Sequence, residues 1–357
     1  MNILLFSDLH YHESQEFPFK DIAESVLSQI ENYAVANGVS HVIHLGDLYH
    51  NRTRMPVRVI KPLSNRFYDW TRRFSLFLLK GNPMHEGENE DYNGNLFPTA
   101  TIIDQPSVRK HDDTHFIFFL PYGPKAVLLK QIQQWEADGI GKRSVRILCT
   151  HFALDGARAL NYEAPATEAL TKKELAWFNH VFAGHYHAHQ QPFKNAWHVG
   201  SPYRVDFGER LDRKGFIHFK DDQANFIDLY VPGMLQLTFN EGYEDKFSKF
   251  EEVKGGVSVE GHLIKVIVKG TDVYLRSFDF ESCRKRLMNQ GALGVTFKSE
   301  RTADIREVRQ ARIHKGDSPE RMVDRYLDFM KDNTAGLDIN KLRRISHLAM
   351  KGEINGK

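Results

Sequence analysis

The sequence predicts an α/β protein whose sheets are flanked by helices, and three observations carry that prediction. Short apolar runs recur through residues 1–220, each followed by a loop or an amphipathic stretch, the pattern of strands buried under helices. Between the first runs the apolar residues change to helical spacing: Ile22, Val26, Ile30 and Tyr33, then Val59, Leu63, Phe67 and Trp70. Five of the runs end on a residue able to bind a metal ion, as expected where the carboxyl ends of strands deliver functional groups to one crevice.

In chain order, Ile3–Ser7 leads into Asp8-Leu9-His10, and the helix that follows stops at Asn37-Gly38, a good C-terminal signal. His41–Leu45 leads into Gly46-Asp47 and Leu76–Lys80 into Gly81-Asn82, so the start of the chain reads β-α-β-α-β. Phe116–Tyr122 continues the sheet, and Leu128 to Trp135 is a short helix. Val145–Thr150 runs into His151, and His180–Ala183 into Gly184-His185-Tyr186-His187. Lys214 to Phe219 alternates as a further strand.

A chain of 357 residues can bury a large core and form more than one domain. Its 41% hydrophobic and 26% charged content is ordinary for a soluble globular protein, and a net charge of +2 argues against a strongly basic coat while allowing a local basic track. Cys149 and Cys283 lie in different regions, so no disulfide framework holds the fold; a reducing cytoplasm fits, that of the host if the chain is viral. No segment has the length or purity of a membrane span, and Met1–Phe6 running straight towards Asp8 leaves no room for a secretion signal in this reading. Among the histidines, His12, His41, His44, His111, His115, His180, His189, His198 and His218 read as surface or internally hydrogen-bonded residues.

Asp8, His10, Asp47, Asn82, His151, His185 and His187 are the candidate metal ligands. Two divalent ions about 3.5–4 Å apart can clamp both sides of a phosphoryl displacement and supply a hydroxide nucleophile near neutral pH. Such a site needs a bridging carboxylate and mixed imidazole and oxygen ligands. Asp47, on its Gly-Asp turn, is the natural bridge. Asp8 and His10, two apart where a strand gives way to a loop, can bite one ion together, and His185 and His187 can address one ion each. Any one of Asp8, Asn82 or His151 alone would be an ordinary turn or cap residue. The ordered set is not.

These five motifs, in this order, resemble the calcineurin-like metallophosphoesterases. Gly46-Asp47-Leu48-Tyr49-His50, Gly184-His185-Tyr186-His187 and Gly200-Ser201-Pro202-Tyr203-Arg204 resemble more closely the SbcD-type DNA nucleases, partners of SMC-like ATPases in recombination and repair. The resemblance is strong over residues 1–220 and implies a metallophosphoesterase sandwich acting as a two-metal DNA exo- and endonuclease, with Mn²⁺ ahead of Mg²⁺. It places Asp8, His10, Asp47 and His187 on one ion, and Asp47, Asn82, His151 and His185 on the other. His50 would lie near the scissile phosphate, with Tyr203 and Arg204 facing substrate. It further implies double-strand DNA ends as substrate, an SbcC-type ATPase as partner, and a homodimer, for which the helix around residues 57–72 offers an apolar face. A small-molecule phosphoesterase or nucleotidase on the same metal site is the rival within the chemistry.

The chain departs from that family's third motif, Gly-Asn-His-Asp, whose histidine contacts the phosphate or donates a proton. Here it reads Gly81-Asn82-Pro83-Met84-His85. Proline has no proton to give, and Met84 stands where an aspartate usually orients the site. Three readings stand: His85 takes over from the same loop; His50 and the metals suffice, with water protonating the leaving group; or the chain is a weakened enzyme, a non-catalytic DNA-end-binding scaffold. The following Glu86-Gly87-Glu88-Asn89-Glu90-Asp91 reads as a solvated acidic loop.

Beyond Val231-Pro232-Gly233, a hinge, the character changes. The expected organisation is a nuclease domain at 1–235, a linker and small β-α-β capping domain at 236–310, and a helical tail at 311–357. In the cap, Ile264, Val266 and Val268 alternate on a strand, Phe280, Cys283 and Leu287 stripe a helix carrying Arg284, Lys285 and Arg286, and Val295 and Phe297 alternate again. In the tail, Ser318-Pro319 starts a helix with Met322, Tyr326 and Phe329 on one face, and Asp338 starts another with Leu342 and Ile345. Such stripes must be buried somewhere, on the chain itself or on a partner. The resemblance favours the coiled-coil base of the ATPase; the sequence has no phosphate loop of its own.

Overall fold

The computed structural model describes all residues except 52–54, 89–91, 160–161, 164–166, 243–257, 303–316, 331–337 and 351–357. Its first strand, β1 (Asn2–Phe6), shows how the molecule is layered. Leu4 and Phe6 pack among residues of the helices, whereas Ile3 and Leu5 pack against Phe119, Ile147 and Cys149 of a second sheet. A strand buried on both faces has no polar side, which is why these runs are continuously apolar.

From β1 the chain proceeds through α1 (Phe19–Ala36), β2 (His41–His44), α2 (Val57–Thr71), β3 (Ser75–Leu79), a single turn α3 (Pro83–Glu86), β4 (Thr101–Ile103), β5 (Ser107–Lys110), β6 (His115–Leu120) and α4 (Lys125–Ala137). It continues with β7 (Val145–Thr150), β8 (Arg158–Ala159), β9 (Tyr162–Glu163), β10 (His180–Ala183), β11 (Gln190–Phe193), β12 (Ala196–His198), β13 (Gly215–Lys220), β14 (Gln223–Asp228) and β15 (Met234–Asn240). One six-stranded sheet has the order β14-β13-β1-β2-β3-β4 and the other β11-β12-β10-β7-β6-β5. Strands β1 to β4 are mutually parallel, as are β6, β7, β10 and β12; antiparallel strands form the sheet edges other than the one made by parallel β4. Helices α1 and α2 cover the outer face of the first sheet through Ile22, Val26, Leu63 and Trp70, and α4 covers the second through Leu128, Ile132 and Trp135. This is the α/β sandwich expected, with Cys149 a core residue between the sheets.

The topology positions the site. Neighbouring parallel strands β1, β2 and β3 release their chains on one edge of the first sheet, and β7 and β10 do so on the second.

The chain divides into two compact units: Met1–Gln236 with Val259–Lys265 and Arg284–Thr296, and Leu237–Ser258 with Val266–Cys283 and Phe297–Lys357. Strands β15, β16 (Leu263–Gly270) and β17 (Gly294–Arg301) form a three-stranded sheet, with α5 (Asp272–Ser277) and α6 (Phe280–Asn289) between the last two. The tail helices α7 (Pro319–Met330) and α8 (Ile339–Met350) pair through Arg343, which meets Asp324 at 3.1 Å and also Asp328, and through His347 to Asp324 at 2.9 Å. Tyr326 and Ile345 stay 42% and 45% exposed, and Met322 and Leu342 are half-buried. Phe329's side chain lies outside the described residues, as does the charged stretch from Lys246 to Gly256. Among the described residues no helix is long and apolar enough to cross a membrane.

Candidate metal centre

The exits of β1, β2 and β10 turn sharply. Asp8, His10, Asp47 and His185 adopt positive φ (50°, 44°, 56° and 84°), four of the six non-glycine residues that do so among those described. Left-handed backbone costs such residues roughly 1–2 kcal/mol apiece, so it persists only where the surroundings dictate it. Here the loops are laced to one another: Asp8 N–H donates to Gly46 O (3.0 Å), His10 N–H to Asp47 O (3.1 Å), and His185 N–H to both Asp8 carboxylate oxygens (3.1 Å). Gly46 sits at φ 100°, with the His151 ring where a Cβ would go, and a Cβ on Gly81 would strike Asp47. The crowding fixes why both motifs carry glycine.

The result gathers the predicted ligands. Asp8, Asp47 and His151 offer donor atoms within 4.8 Å of one another, as do Asp8, His10 and His187, and again His10, His50 and His85. Asp47 Oδ1 lies 3.3 Å from His151 Nε2, and Asp47 Oδ2 lies 3.9 Å from His85 Nε2. His10 Nε2 and His187 Nε2 stand 3.0 Å apart. His185 borders this group rather than joining it, its ring centroid 5.4 Å from that of His151. Asn82 donates its backbone N–H to Asp47 Oδ1 (2.7 Å), while its side-chain oxygen caps α3 by accepting from Met84 N–H (3.0 Å).

Ring orientation follows from what each outer nitrogen touches. A carbonyl oxygen can only accept, so Nδ1 carries the proton in His151, which donates to Leu45 O (2.6 Å), and in His85, which donates to His50 O (2.8 Å). His187 Nδ1 donates to the Glu209 carboxylate (2.7 Å). All three rings therefore turn Nε2 inward, the arrangement by which outer partners aim metal-ligating imidazoles.

The donor set fits divalent cations. Two buried carboxylates, Asp8 and Asp47, share the site, and His10 Nδ1 and His151 Nε2 are buried without a hydrogen-bond partner. Burial opposes charge on His151, yet Asp47 and then Asp8 push it up to about 10. Burial acts against the Asp47 anion too, but His151, His10 and His85 hold it below the usual range; burial raises Asp8 and lowers His10. The site favours positive charge beside its carboxylates, which divalent ions would supply.

Several supports had no sequence signal. Glu209 accepts from His187 and pairs with buried Lys214 (2.6 Å), whose ammonium also donates to Ser201 Oγ (2.7 Å) and His187 O (3.0 Å). Burial works to raise Glu209, but the His187 hydrogen bond and the Lys214 charge bring it to about 2. The stretch read as a solvated acidic loop begins with a buried residue: Glu86 is 1% exposed and accepts backbone N–H groups from Leu48 (2.7 Å) and Gly81 (2.6 Å). Burial, then Asp47, pushes its carboxyl up to about 7.

Tyr203 is fully buried and its hydroxyl donates to His10 O (3.1 Å), so it supports the ligand loop from behind and offers substrate no surface. Arg204 donates to the carbonyls of Asp212 (2.8 Å) and Pro232 (3.3 Å). Both were expected to face substrate; Tyr203 is instead folded inward, while Arg204 is half-buried. His50 is exposed, stacked on His12 at 4.5 Å and 5.5 Å from His10. His198 is structural: Nδ1 donates to Gly184 O (2.9 Å) and Nε2 accepts Leu154 N–H (3.1 Å).

Two open cavities flank the cluster. One, about 520 Å³, is lined by Tyr11, His12, His50 and Arg58; the other, about 660 Å³, by Lys80, Tyr122, Lys125, Phe152 and His185.

No curated protein matches the sequence. Similar solved structures include a putative 5'-nucleotidase from Staphylococcus aureus, 13% identical over 64% of this chain and 53% of that one, with a TM-score of 0.40. The present chain thus spans about half the length of that protein. Others are the nuclease MPE of Pseudomonas putida (16%; 62% and 70%; TM-score 0.28) and the phosphoesterase Yfce of E. coli (15%; 64% and 93%; TM-score 0.33). A family model described as calcineurin-like phosphoesterase, whose members use two divalent metal ions, matches residues 1–215. With more than half its length matched and a fitting donor set at the strand exits, the chain belongs to the calcineurin-like phosphoesterases.

Proposed function

We propose that this chain is a DNA phosphodiesterase, the nuclease subunit of an SbcCD-like recombination and repair complex. The observation that carries the diester reading is that two separate cavities border the cluster, one lined in part by His50 and the other in part by His185. A phosphodiester has a substituent on each side of phosphorus, whereas a monoester fills only one. When bound, two divalent ions, Mn²⁺ in this proposal, would neutralise the phosphate and lower the pKa of the attacking water.

The residues would divide the work. Asp8, His10, Asp47, Asn82, His151, His185 and His187 hold the ions. His50 orients the phosphate from the exposed rim. His85 Nε2, once protonated, hands its proton to the leaving oxygen; its Nδ1 is already fixed on His50 O. The approach of His85 to Asp47 favours this reading over a scaffold silenced by Pro83. The remaining assignments follow from the resemblance: double-strand ends as substrate, the 236–310 region as a cap, a homodimer, and a cytoplasmic setting. The exposed Tyr326 and Ile345, with Met322, Phe329 and Leu342, would meet an SbcC-type ATPase.

The test is cleavage of end-labelled double-stranded DNA with Mn²⁺ by the unmodified chain, Asp47→Ala and His85→Ala, each with and without the ATPase. Asp47→Ala is expected to cut nothing, and His85→Ala to lose about 10²–10⁴-fold in rate. A chain that binds Mn²⁺ but cuts nothing, even with its partner, is a scaffold. Faster turnover of p-nitrophenyl phosphate than of its bis ester would turn the reading to a monoesterase.

A further inference from the structure

Turn α3 occupies the place where the motif departs from its family, and its geometry is complete. Asn82 caps it, Pro83 takes the first helical position, where a missing N–H leaves nothing unpaired, and His85 and Glu86 N–H groups donate to Asn82 O (2.9 and 3.0 Å). Gly87, at φ 79°, ends it, donating to Pro83 O (3.0 Å). This single turn carries Met84 out to solvent, 68% exposed, and brings the next two residues inward.

We infer that Glu86 is the positioning residue of the metal centre, its carboxylate tying the Asp47 loop to the Asn82 loop. One oxygen accepts Leu48 N–H, directly after Asp47, and the other accepts Gly81 N–H, directly before Asn82. The two loops leave adjacent parallel strands, whose pairing with each other ends at His44 and Leu78. A bidentate carboxylate between the two amides sets their separation, and with it the reach from Asn82 N–H to Asp47 Oδ1. The same turn that seats Glu86 also points His85 at Asp47. His85-Glu86 thus supplies, two positions later, an imidazole and an orienting carboxylate in the order the family motif has them. Met84 is no lost partner; it is the outward half of the turn.

This inference rests on reading the cluster as a metal centre, and the test separates the two. Mn²⁺ binding to the full chain is titrated calorimetrically for the unmodified protein, Glu86→Gln, Glu86→Asp and Met84→Ala, beside the thermal unfolding of each metal-free chain. Glu86→Gln keeps the size but presents an amide N–H to a backbone N–H, and Glu86→Asp keeps the charge but shortens the reach. Both are expected to weaken Mn²⁺ about 10- to 100-fold, whereas Met84→Ala does not. An Asp variant binding like the parent would show that charge, not the tether, matters, and so overturn the inference. So would unchanged affinity in both. Amide hydrogen exchange of the unmodified metal-free chain gives a check that needs no variant: Leu48 and Gly81 must be protected as strongly as strand β2, and rapid exchange at either refutes the tether. If the parent binds no Mn²⁺, the metal-centre reading fails, and exchange alone judges the tether.

Discussion

The two sides of the cluster are braced by buried glutamates in opposite ways. At the β3 exit, Glu86 is held by two backbone amides and sits beside Asp47, so its carboxyl is driven up to about 7. At the β10 exit, Glu209 is wedged between His187 and Lys214, so despite burial it falls to about 2. One brace uses dipoles and sets distances between loops; the other uses full charges and aims an imidazole. A buried carboxylate near a metal centre therefore has no fixed meaning; its partners decide it.

The largest effect expected lies on the charged side. Lys214→Met leaves the buried Glu209 without its ammonium partner, held by hydrogen bonds from His187, Val205 N–H and Ser201 Oγ. Removing one member of a buried ion pair costs about 3–5 kcal/mol. Urea unfolding of the metal-free chain measures it. A loss under 1 kcal/mol would mean the two braces do not differ in kind.

The same side predicts a pH response. Neutral His198 bonds both Gly184 O and Leu154 N–H, and burial, followed by the nearby His185, lowers it to about 3. Between its ordinary value near 6.5 and about 3, the unfolded chain binds the extra proton, so stability rises with pH through that window and falls on acidification. The slope from this group is about 1.4 kcal/mol per pH unit below roughly 6. His198→Asn, which keeps the donor to Gly184, should flatten the stability difference between pH 6 and pH 5 by about that amount. Equal slopes in both proteins would remove His198 as the acid-labile element.

How much of this was legible in the sequence follows from what each residue must do. Asp8, His10, Asp47, Asn82, His151 and His185 to His187 sit at strand ends because parallel strands deliver side chains there, and runs such as Ile3–Ser7 announce the strands. Glu209, Lys214 and Glu86 gave no signal, because a brace is recognisable only by the partner it meets across the fold. Glu86 was hidden further by Glu88, Glu90 and Asp91, whose company made it look solvated. Tyr203 was misplaced for the converse reason: a turn at Gly200 can aim its next residues inward or outward, and only packing chooses.

A smaller effect belongs to aiming. Glu209→Gln keeps an acceptor for His187 but removes the charge, leaving Lys214 with a weaker partner. Mn²⁺ affinity should fall about 10- to 100-fold while maximal rate at saturating metal changes less. If the rate fell and affinity held, Glu209 would act on the reaction rather than on the His187 ligand.

The smallest effect distinguishes a displaced motif from a broken one. Pro83 is preorganised for the first helical position, and its lack of an N–H costs nothing there. Replacing it by alanine, which only frees the unfolded chain, should lower stability by about 0.4–1 kcal/mol and leave DNA cutting unchanged. Pro83→His is the sharper change, because it restores an imidazole directly after Asn82. With His85 already turned towards Asp47, a second imidazole has no vacancy to fill, and the rate should stay within about threefold of the parent, against the 10²–10⁴-fold that a missing proton donor costs. A gain of a hundredfold or more would show that the position after Asn82 is where the reaction needs its histidine, and that α3 merely fills a gap.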